Sequence, residues 1–135
     1  MVDTIERDRR TANMSRIRSN NTKPEMVVRC LTHSMGYRFR LHRKDLPGKP
    51  DLVFPARRKV IFVHGCFWHQ HPACREGRLP GTNQEYWTPK LGRNVERDLH
   101  AQESVRSLGW ESLVIWECET TDPGVLSTRL KAYLG

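Results

Sequence analysis

Residues 51–64 read DLVFPARRKVIFVH. Two β-rich runs flank a short basic connection, so the stretch predicts a hairpin. The second run begins with Val60, Ile61, Phe62 and Val63 in unbroken succession, which suits a buried strand. Upstream, LPGKP at residues 46–50 is a turn, and YRFRLH at residues 37–42 alternates apolar and basic residues like a half-exposed strand. Further back, NTKPEMVVRCLTHSMG predicts a helix with Thr22 as N-cap, Pro24 in the first turn, Glu25 at the third position and Gly36 as terminator. Its apolar face is Val27, Cys30, Leu31 and Met35. Downstream, Leu91, Val95, Leu99, Val105 and Leu108 predict a helix from about residue 88 to 108, closed by Gly109. WESLVIWEC is then a β run, and residues 125–134 a short closing helix. The order α, β, β, β, α, β, α predicts an α/β fold, a mixed sheet with helices packed on it.

At 135 residues the chain is long enough for one domain with its own core. Its four cysteines are therefore not needed as staples. Without a secretory leader or an apolar run of about 18 residues, they point to a reduced, cytoplasmic protein in which clustered Cys and His more often bind metal than form disulfides. Lys and Arg number 23 against 15 acids, a net charge of +8 that favours a polyanionic partner. Arg7, Arg9, Arg10, Arg16 and Arg18 crowd a start almost devoid of apolar residues. Residues 1–20 therefore read as a basic arm that orders on binding, and residues 21–135 as a single domain.

Three groups of residues carry possible chemistry. Asp51 follows a rigid turn at a strand edge, where a carboxylate can present oxygen to Mg²⁺ alongside the Val63 carbonyl of the partner strand and Glu25 of the first helix. Glu25 has an equally good structural role, because Thr22-x-x-Glu25 is a capping box. Cys66, His71, Cys74 and the distant Cys118 form a C-x4-H-x2-C set with a fourth ligand, suited to structural Zn²⁺, while Cys30 reads as packing. His64 and His69 lie outside that set, each either a proton-transfer group or a solvated loop residue. Phe67 and Trp68, held between the ligands, and Trp87, before the basic run from Lys90 to Arg97, suggest stacking on or wedging between bases.

The blocks LPGKPD, VIFVHGCFWHQH, EYWTPKLGRNVERD, LGWESLVIWEC and RTANMSRIRSNNTKPE together closely resemble the very short patch repair (Vsr) DNA mismatch endonucleases. The likeness runs from about Arg10 to Cys118. It implies a restriction-endonuclease-like fold of the PD-(D/E)xK type, and an enzyme that nicks duplex DNA on the 5′ side of the thymine in a T·G mismatch. Such mismatches arise when 5-methylcytosine deaminates, so the resemblance also implies a functional link to a cytosine-5 DNA methyltransferase and a downstream repair polymerase. It implies no membrane association and a monomer acting on double-stranded DNA.

By the same resemblance, Asp51 is the central Mg²⁺ ligand with the Val63 carbonyl, His69 the general base, and Glu25, His64 and Asp98 supports that reach the metal through water. Where many relatives of the fold carry an acid and a lysine on the second strand, this chain has Phe62 and His64. Cys66, His71, Cys74 and Cys118 are assigned to structural zinc, with His69 a rival of His71 because some family members space the ligands one residue closer. Phe67, Trp68 and Trp87 form the wedge on the major-groove side, Met14 enters from the minor-groove side, and Lys90 and Asn94 lie near the mismatched pair. The expected reaction is metal-assisted phosphodiester hydrolysis leaving 3′-hydroxyl and 5′-phosphate ends. A zinc-stabilised DNA-binding protein without catalysis is the alternative, and an RNA-directed nuclease a further one.

Overall fold

The structure, a computed structural model, describes residues 22–72, 74 and 83–135. The N-terminal arm and Met14 lie outside the described residues. The elements run α1 (Lys23–Ser34), β1 (Arg40–Leu41), β2 (Leu52–Phe54), β3 (Lys59–His64), α2 (Gln84–Ser107), β4 (Glu111–Trp116), a 3-10 turn (Glu117–Thr121) and α3 (Pro123–Leu134). The expected order therefore holds, with a four-stranded sheet in the order β1-β2-β3-β4. β1, β2 and β3 pair antiparallel and β4 joins β3 in parallel, which makes the sheet mixed.

Side-chain alternation along β3 gives the sheet two buried faces. Ile61 packs with Leu52, Phe54, Ile115 and Val28, and with Leu126, Leu130 and Leu134 of α3. Val60 and Phe62 point the other way, to Val53, Leu46 and the α2 residues Ala101 and Val105. Helices α1 and α3 thus cover one face, and α2 covers the other. Among the described residues no helix is long and apolar enough to cross a membrane.

Several expected boundaries move. The strand predicted over residues 37–42 shrinks to Arg40–Leu41, since Tyr37 and Phe39 pack into the core from outside the ladder. In α1 the buried line is Glu25, Val28 and Thr32, with Val27, Leu31 and Met35 beside it. Cys30 is exposed, contrary to the packing role expected of it, because two residues from Val28 is about 200° around the helix. Helix α2 begins four residues before Thr88 and carries Pro89 in its second turn. Trp87 consequently sits in its first turn, on the same side as Lys90, Asn94 and Asp98 at helical spacing. Leu99 (61% exposed) and Leu108 (52%) are not core residues; Leu91, Ala101 and Val105 are. Cys118 lies in the 3-10 turn and not on the strand. The last helix starts at Pro123, with the Asp122 carboxylate accepting from the Gly124 and Val125 N–H groups as N-cap.

Candidate active site and metal centres

The site grows from the hairpin register. Leu41 pairs Leu52, and beyond the ladder the His42 N–H donates to the Asp51 carbonyl (3.4 Å), which sets those two residues side by side. The Asp51 N–H donates to the Ile61 carbonyl (3.0 Å), and the Val63 N–H donates to Asp51 Oδ2 (2.6 Å). The carboxylate is therefore fixed between β2 and β3 at both backbone and side chain. Glu25 comes from α1, where its N–H donates to the N-cap oxygen Thr22 Oγ1 (3.2 Å) but its carboxylate is used elsewhere. His42 Nε2 stands 2.8 Å from Glu25 Oε2 and 3.8 Å from Asp51 Oδ1. Arg29 lies 3.5 Å from the same Glu25 oxygen.

Burial pushes the Asp51 carboxyl up to about 8. The Val63 N–H pulls the other way, and the neighbouring Glu25 charge adds to the rise. A buried carboxylate, a half-buried one and an imidazole within 4.8 Å of one another form a set that can hold a cation. His42 was not singled out from the sequence. Counting back along the hairpin from Asp51 would have found it.

Asp51 opens onto a cleft of about 280 Å³, lined also by Gly48, Lys49, Phe62, Val63, His64, His69, Arg97, Asp98 and Ala101. Gly48 is required where the turn crosses α2: its φ is +74°, and a Cβ there would come within 2.4 Å of the Ala101 Cβ. Lys49 follows with φ 48°, another left-handed residue. Lys49 and Arg97 bring positive charge to the cleft that the sequence reading did not identify.

On the opposite wall His64 and His69 stack with ring centroids 3.9 Å apart and planes 6° apart. His69 Nδ1 is 2.5 Å from Asp98 Oδ2, and His64 Nε2 is 4.0 Å from Asp98 Oδ1. Burial, aided by the His69 charge and opposed by Asp98, drives the His64 imidazole down to about 4, so it is neutral at pH 7.

The loop after β3 turns on itself, with the His69 N–H donating to the Gly65 carbonyl (3.1 Å) and the His71 N–H to the Cys66 carbonyl (2.9 Å). These turns separate the histidines: His69 goes to Asp98, and His71 goes to the thiols. His71 Nδ1 lies 3.7 Å from Cys66 Sγ and 3.5 Å from Cys118 Sγ, its ring stacked on Trp116 at 4.1 Å. The donor atoms of Cys66, His71, Cys74 and Cys118 all fall within 4.8 Å of one another. Burial raises Cys66 to about 12, with the Cys118 and Cys74 thiols adding to the rise, and burial also raises Cys118, opposed by the Cys66 thiol and aided by Cys74. Thiols so placed are fit to ionise only against a cation.

Between the two clusters Phe67, Trp68 and Trp87 meet edge to face at 5.1–5.9 Å. They are half-buried against one another. Tyr86, 57% exposed and unremarked in the sequence, joins them at 5.0 Å from Trp87. Lys90 Nζ lies over Trp68, Tyr86 and Trp87 at 5.9, 5.3 and 5.7 Å. Asn94 Nδ2 donates to the Trp68 carbonyl (3.1 Å), which clamps the loop to α2.

Comparison with known proteins agrees with this geometry. The family described as DNA mismatch endonuclease Vsr matches residues 2–75. The type II nicking enzyme V.XorIIP of Xanthomonas oryzae pv. oryzae is 52% identical over 134 residues, 99% of this chain and 98% of that protein. The DNA mismatch endonuclease Vsr of Escherichia coli is 41% identical over 99% of this chain and 88% of its own. The type II nicking enzyme V.NmeAIP of Neisseria meningitidis is 36% identical over 96% and 92% respectively. With its mixed sheet, its cleft at Asp51 and its likeness to these relatives along nearly the whole length, the chain belongs to the Vsr family of DNA mismatch endonucleases.

Proposed function

We propose that the chain nicks one strand of duplex DNA on the 5′ side of the thymine in a T·G mismatch left by deamination of 5-methylcytosine, and so begins very short patch repair. The observation that carries the reading is the single cleft that places Asp51 opposite the His69–Asp98 pair, with Lys49 and Arg97 on its rim. A phosphodiester there meets cations, and a base stands across from a carboxylate. The fold is read as restriction-endonuclease-like, supported by helices on both faces of a mixed sheet and by an acid at the start of β2. Residues 1–20, including Met14, are proposed as an arm that orders on DNA.

Asp51, Glu25 and the Val63 carbonyl would hold Mg²⁺, with His64 and Asp98 around it; the buried carboxylates and the raised Asp51 proton affinity fit a site that needs positive charge. Bound there, Mg²⁺ would neutralise charge on the phosphoryl oxygens. With Nδ1–H donated to Asp98 Oδ2, His69 keeps the lone pair on Nε2 and can take a proton from the attacking water. Asp98 orients that ring and stabilises the imidazolium that forms. His64, neutral and stacked on His69, keeps the ring from swinging. Products are a 3′-hydroxyl and a 5′-phosphate.

Cys66, His71, Cys74 and Cys118 would hold Zn²⁺ with all four positions taken by protein, so its part is to fix the loop. That loop presents Phe67 and Trp68, with Trp87, Lys90 and Asn94 of α2, to the base stack. A mismatched step is cheaper to unstack, so selectivity follows from deformability. The substrate links the chain functionally to a cytosine-5 methyltransferase, which makes the base that deaminates, and to a repair polymerase that extends the 3′ end. The test uses duplexes labelled on each strand, with T·G or T·A at one position. Nicking of the thymine strand alone, at T·G alone and only with Mg²⁺, is expected. Equal cutting of T·A, or of both strands, overturns the reading.

A further inference from the structure

We propose that His42 is a further protein ligand to the divalent cation at Asp51, Glu25 and the Val63 carbonyl, adding an imidazole to two carboxylates and a carbonyl in a set that takes Mn²⁺ more tightly than Mg²⁺. The inference rests on the function proposed above. His42 closes the β1–β2 ladder with φ 47°, and its N–H bond to the Asp51 carbonyl places the two side chains on neighbouring chain segments. Its ring is three-quarters buried at 25% exposure, between a Glu25 side chain exposed by 1% and an Asp51 side chain exposed by 16%.

The distances favour shared coordination over a simple hydrogen bond. Donors around one small divalent ion, each about 2.0–2.2 Å from it, stand roughly 3.0–3.5 Å apart. The two spacings from His42 Nε2, 2.8 Å to Glu25 and 3.8 Å to Asp51, bracket that range. A hydrogen bond to Glu25 accounts for the first spacing alone. Shifts of a few tenths of an ångström would bring His42 Nε2 to coordination spacing from each carboxylate oxygen, and all three donor atoms lie within 4.8 Å of one another. The chemistry then sets the preference: Mg²⁺ takes oxygen ligands and keeps its waters, whereas first-row divalent ions also accept an imidazole nitrogen.

The test uses the full-length, zinc-loaded protein without DNA, and follows Mn²⁺ by electron paramagnetic resonance, with Mg²⁺ measured by competition. Bound Mn²⁺ is expected to show spin-echo modulation from a coordinated nitrogen. The modulation should be lost in His42→Gln, with affinity for Mn²⁺ falling about tenfold or more while Mg²⁺ affinity changes far less. In His69→Ala, which alters the separate group of His64, His69 and Asp98, the modulation should persist. Absence of nitrogen coupling in the unaltered protein, or coupling that follows His69 and not His42, overturns the assignment. That wild-type measurement decides even if His42→Gln does not fold. Asp51→Asn separates the two levels: loss of Mn²⁺ binding there with no effect of His42→Gln retires only the imidazole ligand, whereas full Mn²⁺ binding in Asp51→Asn retires the proposed catalytic site with it.

Discussion

Two clusters of metal-capable side chains flank the loop at residues 65–72, and they differ in donors and in surroundings. On one side three thiols and an imidazole face inward on one another, with His71 stacked on Trp116 and the Cys66 N–H donating to Glu117 Oε1 (3.3 Å). On the other side Asp51 just before β2, His64 of β3, His69 of the loop and Asp98 of α2 line a cleft, with Glu25 of α1 and His42 beside Asp51. Soft donors in a closed set stiffen a backbone; hard donors beside an open space leave room for a substrate. The same residue type, histidine, serves both because one turn of loop sends His69 and His71 to opposite sides.

The sharpest way to break this contrast is Asp51→Asn. Nicking of a T·G duplex should fall on the order of 10³-fold or more, since the proposed cation site loses a carboxylate charge. The melting temperature should hold or rise slightly, because the carboxylate is buried at a cost. Strand-nicking rates and thermal melts on one preparation check both halves. A melting temperature lowered along with activity would make Asp51 a structural residue like the thiols.

Removing the other cluster should show the reverse signature. Chelation of the zinc proposed at this cluster, or Cys118→Ser, is expected to lower the melting temperature by roughly 10 °C, while the sheet core of Phe54, Ile61 and Ile115 stays folded. Nicking should fall too, by about 10- to 100-fold, because the loop bearing Phe67 and Trp68 loses its anchor. Melting followed by circular dichroism and tryptophan fluorescence separates loop release from global unfolding. Unchanged stability after chelation would leave the thiol cluster without its assigned role.

The two sides also part company with pH. In cation-free protein Asp51 has a folded value near 8, above its unfolded value of about 4. It contributes stability that is complete at low pH and is lost as pH rises to about 8. His64 works in the opposite direction, with a folded value near 4 and an unfolded value near 6.5, so its contribution is lost as pH falls from about 6.5 to 4. The two trends oppose one another below about 6.5, and above it Asp51 acts alone. Melts without added divalent ion should therefore decline from pH 6.5 to 8, a decline that Asp51→Asn abolishes and saturating Mg²⁺ reverses, because Mg²⁺ binds the ionised carboxylate.

Much of this was legible in the residues, and the losses have physical causes. The VIFV and LVIW runs announce β3 and β4 because strands buried on both faces need no polar alternation. The C-x4-H-x2-C spacing announces the thiol cluster because its ligands are local in the chain. What escaped depends on register and on helix phase. His42 meets Asp51 only through hairpin pairing, Arg97 reaches the cleft only through the phase of α2, and Lys49 gets there through a left-handed turn. The early start of α2 was hidden by Pro89, and with it the place of Tyr86 among the aromatics. Cys30 and Leu99 misled for the converse reason: an apolar residue at helical spacing is core only if the stripe is centred on it, and here it is not.

The smallest predicted effect tests whether the aromatic cluster takes its order from the loop or from α2. Tyr86 accepts a hydrogen bond from Lys90 Nζ (3.2 Å) and touches Trp87, yet it stands on the helix and not on the loop that carries Cys66 and His71. Tyr86→Phe keeps the ring and removes one exposed hydrogen bond, a net loss of about 0.5 kcal/mol or a little more. Affinity for a T·G duplex should drop about two- to threefold with the nicking rate of bound DNA unchanged. Lys90→Met removes a charge from the same place, and should weaken binding more and flatten the salt dependence by about one phosphate contact. If the loop orders the wedge, the Tyr86→Phe effect shrinks towards nothing once zinc is removed, because Trp68 no longer holds its place against Trp87. If α2 orders it, the effect is the same with and without zinc, and the stiffening role given to the thiol cluster must be narrowed to Phe67 and Trp68 themselves.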